Sequence, residues 1–222
     1  MLDQAALRDH LAAAYAAGAL SPGLALLTET QAALLPDAAL RVALAESAAG
    51  ALLEMERPAA LSADALERTL AAIAHEEAAA LEIPARARRA MKHRDEIERL
   101  PAPVRAAALA ALDANGWTFS AFGVSTLDLP IGDDAKVELI RIAPGVATPR
   151  HTHEGAELTL VVTGAFRDER GRYGVGEIAA AGPHVTHTPK AEAGEVCYNL
   201  AISEAPLKFT GLLGALQRAF LN

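Results

Sequence analysis

Four side chains in the second half of the chain have the types and spacing of a metal site: His151, His153, Glu157 and His187. His151 and His153 are two residues apart, so on a strand both imidazoles leave the same face. A turn through Glu154-Gly155-Ala156 lets the chain reverse and return Glu157 beside them. Gly145 and Gly164 bracket this segment where the strands must turn tightly. His187 follows Glu157 by 30 residues, after a turn at Gly182-Pro183 that brings it onto a strand facing the first pair. Three imidazoles and one carboxylate form a cage suited to one divalent ion, zinc foremost, with Mn, Fe, Co or Ni also compatible. A bare HxH occurs on many surfaces, but both glycines and a correctly placed third histidine narrow the reading to a metal. His184 is read as a neighbour of the ligands or a surface residue. No Ser-His-Asp order, Gly-rich phosphate loop or Cys-x-x-Cys pair occurs, so no catalytic residue is assigned and any chemistry belongs to the metal site.

Strands must hold these residues, and the pattern supplies them. After an Asn115-Gly116 stop the chain breaks into short runs rich in β-branched and aromatic residues: 117–124, 137–142, 158–162, 177–179 and 196–202. Clusters of Gly, Pro, Asn and Asp separate them, as in a small antiparallel barrel or double-sheet jelly roll. The first part is helical instead. Leu7, Leu11 and Tyr15 recur every four residues up to Gly18, and Ser21-Pro22 reads as a cap and first helical position. Pro36-Asp37 starts a third helix with a stripe of Leu40, Leu44, Ala48, Leu52 and Met55, ended by Pro58. A fourth follows Ser62, with Leu66, Leu70 and Ile73 expected on its inner face. Such a bundle is marginal alone and calls for a partner surface. The expected division is a helical domain over 1–81, a basic linker over 82–103 with a solvated short helix, and a barrel domain over 104–222. That barrel domain opens with a helix at 104–112 and ends in a helical tail, 212–220, packed on the barrel or on another subunit.

The net charge of −8 is unevenly placed. Residues 1–83 carry 12 acids against 4 bases, whereas 84–105 carry 7 bases against 3 acids. An acidic helical third disfavours nucleic acid as a direct partner and favours a basic protein surface. The single cysteine, Cys197, excludes an internal disulfide and fits a cytoplasmic setting. A lone cysteine on a barrel strand reads as a buried small hydrophobe, with oxidation to a sulfenic acid as the alternative. No leader-like basic and apolar start is seen, and no apolar run reaches the roughly 20 residues of a membrane span.

The metal segment resembles the first cupin motif at each defining position and the second in part: Gly182, His184 and Ala191 stand where proline, glycine and asparagine are usual. Across nearly its whole length the chain is similar to the ChrR family of bacterial anti-sigma factors. The segments that carry this are Ala14-Tyr15-Ala-Ala-Gly18-Ala-Leu20-Ser21, Gly164-Ala-Phe-Arg-Asp-Glu169, Tyr173-Gly-Val-Gly-Glu177, His187-Thr-Pro189 and Ala205-Pro-Leu-Lys-Phe209. The resemblance implies an α+β protein: an N-terminal helical bundle that clamps an extracytoplasmic-function sigma factor, then a C-terminal cupin barrel that releases it under singlet-oxygen or organic-peroxide stress. The family's helical domain usually holds zinc through an upstream histidine and a His-x3-Cys-x2-Cys motif. The matching positions here are Ala6, Gln31, Leu35 and Ala38, so that zinc is expected to be absent, with packing of Leu34 and Leu35 in its place. A homodimer is compatible with all of this. The alternative function is a metal-dependent cupin enzyme, a dioxygenase, hydrolase or isomerase, with Arg141, Arg150 or Arg167 fixing its substrate.

Overall fold

The computed structural model describes residues 3–80, 93–205 and 207–209. The expected tail helix over 212–220 and most of the basic run lie outside the described residues. Among the described residues six helices precede twelve strands: α1 (Gln4–Ala16), α2 (Pro22–Leu34), α3 (Pro36–Glu54), α4 (Ala65–Ala80), α5 (Arg94–Ile97) and α6 (Ala102–Ala114). The strands are β1 (Phe119–Ala121), β2 (Val124–Asp128), β3 (Lys136–Ile142), β4 (His151–His153), β5 (Glu157–Thr163) and β6 (Ala165–Asp168). They continue with β7 (Gly171–Gly174), β8 (Ile178–Ala181), β9 (Thr186–His187), β10 (Lys190–Ala191), β11 (Cys197–Ser203) and β12 (Leu207–Phe209).

Prolines set the helix boundaries. Leu35 precedes Pro36 and is extended, which stops α2 and lets α3 begin with proline at its first position. Ser21 occupies the cap position of α2, but its side chain makes no capping hydrogen bond. The Asp133 carboxylate, far along the chain, accepts from the Gly23 N–H at 2.5 Å and from the Ala135 N–H at 2.9 Å. A loop of the barrel region therefore caps a helix of the N-terminal region.

The strands form an antiparallel barrel. A six-stranded sheet in the order β1-β2-β3-β11-β5-β8 faces two three-stranded sheets, β10-β6-β7 and β12-β4-β9. The expected run 117–124 is split by a turn at Phe122–Gly123, where both residues have positive φ. Alternation along the large sheet makes two cores. Leu127, Leu139, Leu160, Val162, Leu200 and Ile202 point outward and bury themselves with Leu11 of α1, Leu26 and Leu27 of α2, and Val104, Ala108 and Leu112 of α6. Val124, Ile142, Val161 and Cys197 point inward with Phe166. The helices therefore cover one face of the sheet and the barrel interior lies on the other.

Two expectations need correction. The described part of the basic stretch is packed, because Ile97 and Leu100 are buried in the outer core. There Arg141 grips Glu96 with Nε and Nη2 at 2.7 and 3.0 Å, and the Tyr198 hydroxyl donates to the same carboxylate at 2.9 Å. The second correction concerns the apolar stripes of α3 and α4. Helices α1, α2 and α3 pack together, yet Leu40, Leu44, Leu52 and Met55 are 59–80% exposed, and Leu66, Leu70 and Ile73 are 49–72% exposed. The stripes are real, but no part of the described chain covers them.

Candidate metal centre

Strand β4 is the His-Thr-His segment itself, and its period of two puts His151 and His153 on the inner face, both buried. Thr152 faces the other way and donates to the Val185 carbonyl at 2.8 Å. Strand β9 pairs antiparallel with β4 so that His187 lies directly opposite His151. The Gly182-Pro183 turn that delivers it is closed by the Val185 N–H donating to the Gly182 carbonyl at 2.8 Å. His187 Nε2 then sits 3.0 Å from His151 Nε2 and 3.1 Å from His153 Nε2.

Outer partners fix the state of two of the rings. His151 Nδ1 lies 2.8 Å from the Pro149 carbonyl, an acceptor only, so it carries the proton and leaves Nε2 with a lone pair. His187 Nδ1 lies 2.7 Å from Oδ2 of Asp168, whose side chain is fully buried at the end of β6. Burial alone would raise the Asp168 pKa, but the His187 ring and the Arg170 backbone N–H donate to it and hold it below the usual carboxylate range. In the neutral ring this contact leaves Nε2 of His187 as an acceptor too. Two lone pairs 3.0 Å apart repel unless a cation lies between them. Nitrogen donors sharing one ion at about 2.0–2.1 Å are themselves about 2.9–3.4 Å apart. Burial lowers the pKa of both His151 and His153, which keeps the rings neutral and able to ligate. The donor set fits a divalent metal: His151, His153 and His187 each offer a nitrogen, all within 4.8 Å of one another.

Glu157 starts β5 and is buried beside the rings, with Oε2 3.7 Å from His153 Nδ1. Its carboxylate accepts from the Ser203 hydroxyl at 2.7 Å and the Thr159 hydroxyl at 3.0 Å. Among the described residues His153 Nδ1 is buried without a hydrogen-bond partner. The three histidines are thus gathered, whereas Glu157 lies beside them on the Ser203 and Thr159 hydroxyls and is not one of the three groups whose ligand atoms all lie within 4.8 Å of one another. His184 is exposed.

A cavity of about 630 Å³ opens onto the site, lined by His151, His187 and Glu157 and by apolar residues that include Ile140, Ile142 and Phe166. Its arginine is Arg170, which the sequence reading missed; Arg170 also pairs with Asp168 at 3.3 Å. Arg141 lies on the outer face with Glu96, Arg167 is exposed near Glu192, and Arg150 is exposed. Cys197 is buried in the inner core 3.5 Å from Asn199 Oδ1, and burial pushes its thiol up to about 11.

At the positions matched to the helical zinc motif, Ala6 is exposed and Ala38 buried. Gln31 is buried and donates to the Gly176 carbonyl at 2.7 Å, while Leu35 packs against Gly176. The junction of α1 and α3 is polar: Asp37 binds Arg8 at 3.2 Å and Arg41 at 3.1 Å, and Arg41 also binds Asp9.

Comparison with known proteins agrees with this architecture. The ChrR cupin-like domain model matches residues 105–204. The anti-sigma-E factor ChrR of Cereibacter sphaeroides is 38% identical over 214 residues, which is 96% of each chain. A chain of the crystal structure of Rhodobacter sphaeroides SigE in complex with the anti-sigma ChrR superposes with a TM-score of 0.65 at 34% identity. That match covers 88% of this chain and 96% of the other. An RmlC-like cupin protein of Ralstonia eutropha matches 46% of this chain and 77% of its own, at 17% identity and a TM-score of 0.38.

Proposed function

The chain belongs to the ChrR family, and from that premise we propose that it is an anti-sigma factor whose helical region binds an extracytoplasmic-function sigma factor. The observation that carries this reading is the uncovered apolar face. Leu40, Leu44, Leu52, Leu53 and Met55 of α3 and its end, with Leu66, Leu70 and Ile73 of α4, are all exposed. Exposed apolar patches of this extent mark interaction sites. The acidic balance of residues 1–83 suits a basic protein partner, and the relative seen in complex with SigE shares the fold over nearly its whole length.

The cupin region is the regulatory half of the same proposal. His151, His153 and His187, with Glu157 as fourth ligand, hold one divalent ion, and zinc suits the three-imidazole set. The ion, when bound, supplies a Lewis-acidic position facing the cavity. The chain's own residues keep the His151 and His153 rings neutral, orient His187 through Asp168, and present an apolar chamber with one arginine at its edge. A small oxidant such as an organic peroxide, or another small ligand, would enter there and alter the barrel that supports the helices. The working place is the cytoplasm. Among the described residues no helix is long and apolar enough to cross a membrane.

Run-off transcription tests the proposal. Full-length protein titrated into RNA polymerase holoenzyme carrying its partner sigma factor is expected to silence the cognate promoter at one equivalent. A Leu52→Glu/Leu70→Glu variant is expected to leave transcription running. Full transcription in the presence of excess folded, metal-loaded wild-type protein would contradict the assignment.

A further inference from the structure

Strand β8 ends the order of the six-stranded sheet, and a terminal strand exposes backbone groups that need partners. Two glutamines from the helices supply them. Gln4 of α1 accepts from the Ile178 N–H at 3.0 Å and donates to the Ile178 carbonyl at 2.8 Å, so one side-chain amide imitates a neighbouring strand. Gln31 of α2, 2% exposed, donates to the Gly176 carbonyl at 2.7 Å. Leu35 closes over the same backbone: a Cβ added at Gly176, where φ is +79°, would lie 2.5 Å from Leu35 Cγ. Neither glutamine touches the metal site or the exposed faces of α3 and α4.

This seam joins the two parts of the molecule. Strand β5 lies beside β8, with Glu157 opposite Ala181 and Leu160 opposite Ile178. One face of β5 carries Glu157 and Thr159 into the cavity, and the other carries Leu158, Leu160 and Val162 into the core shared with α1 and α2. On the far side, α1 is tied to α3 by the Arg8–Asp37 and Asp9–Arg41 pairs. These contacts make a continuous path from β8 through α1 to α3.

We propose that Gln4, Gln31 and Leu35 form a cooperative latch on the edge of β8, and that its opening is the conformational step connecting the barrel to the helices. None of the three residues belongs to the candidate metal group, so the test does not depend on the metal assignment. Gln31 bonds Gly176 and not Ile178, which gives a readout that a purely local contact would not move. Hydrogen exchange is measured on full-length wild-type protein and on Gln31→Ala, with Leu35→Ala as an independent variant from the same helix end. In both variants the Ile178 amide, guarded by Gln4, and the α1 amides are expected to exchange about tenfold faster, as loss of one buried hydrogen bond or its equivalent in packing would give. The amide of Leu200, in the middle of the sheet, is expected to keep its wild-type rate. An unchanged Ile178 rate in both variants overturns the latch, because the contacts would then open independently. Equal acceleration at Leu200 overturns it too, because only global stability would have changed.

Discussion

Asp168 orients one of the proposed ligands of the candidate metal site. It accepts from His187 Nδ1, which in the neutral ring leaves Nε2 open to a metal, as the Pro149 carbonyl does for His151. Asp168→Asn is expected to lower metal affinity about 10- to 100-fold, measured by chelator competition, because such partners carry that weight at metal centres. His187→Ala is expected to abolish stoichiometric metal in the purified protein, read by elemental analysis. Cys197 gives the opposite kind of prediction. With its thiol pushed up to about 11 by burial, it is protonated at neutral pH and shielded. Thiol labelling is expected to be negligible in the native protein and stoichiometric after denaturation. The histidines were legible in the sequence because a period of two on a strand puts HxH on one face and glycine turns limit where the chain can return. Asp168 was not, because it meets His187 across two sheets and no spacing rule joins them. Arg141 and Arg167 illustrate the same limit: which face of a strand turns inward depends on register, and theirs turned outward.

At the scale of elements, helix ends were legible from Ser21-Pro22 and Pro36, since proline restricts both itself and its predecessor. The source of the α2 cap was not, because Asp133 reaches it only through tertiary structure. Strands β6, β7, β9 and β10 are two to four residues long, too short for alternation to register. The stretch around α5 was read as a solvated linker from its charge, but Glu96 is gripped by Arg141 and Tyr198. The Arg141 hydrogen bonds, aided by Tyr198, outweigh burial and bring the Glu96 pKa from 4.5 to about 2. A lowered carboxyl pKa adds stability that is complete above the unfolded value and disappears as pH falls through the folded one. Glu96→Gln is therefore expected to cost about 1–2 kcal/mol at pH 7, the order of a charge-assisted hydrogen bond at a partly exposed site. The difference from wild type should close between pH 4.5 and about 2 in denaturant titrations. Gly164→Ala is expected to destabilise the barrel by about 2 kcal/mol or more, because φ is +65° there and the new Cβ would lie 2.8 Å from the Val196 carbonyl oxygen.

For the whole molecule, the sequence pattern marked amphipathic helices but could not say what lies against them. Leu7, Leu11 and Leu27 found the barrel and its helices, whereas the stripes of α3 and α4 found nothing within the described chain. The difference matters for the helical region as a unit. Leu11, Leu26 and Leu27 share one core with the sheet, so cutting the chain before the barrel would expose them, and the binding test uses the whole chain. The open face of α3 and α4 is where a sigma factor is proposed to bind. The most direct test is size-exclusion chromatography with light scattering on full-length protein co-expressed with an extracytoplasmic-function sigma factor from the same genome. A stable one-to-one complex is expected, which a Leu52→Glu/Leu70→Glu variant fails to form while remaining folded. Folded wild-type protein that elutes alone in the presence of each such sigma factor would contradict it.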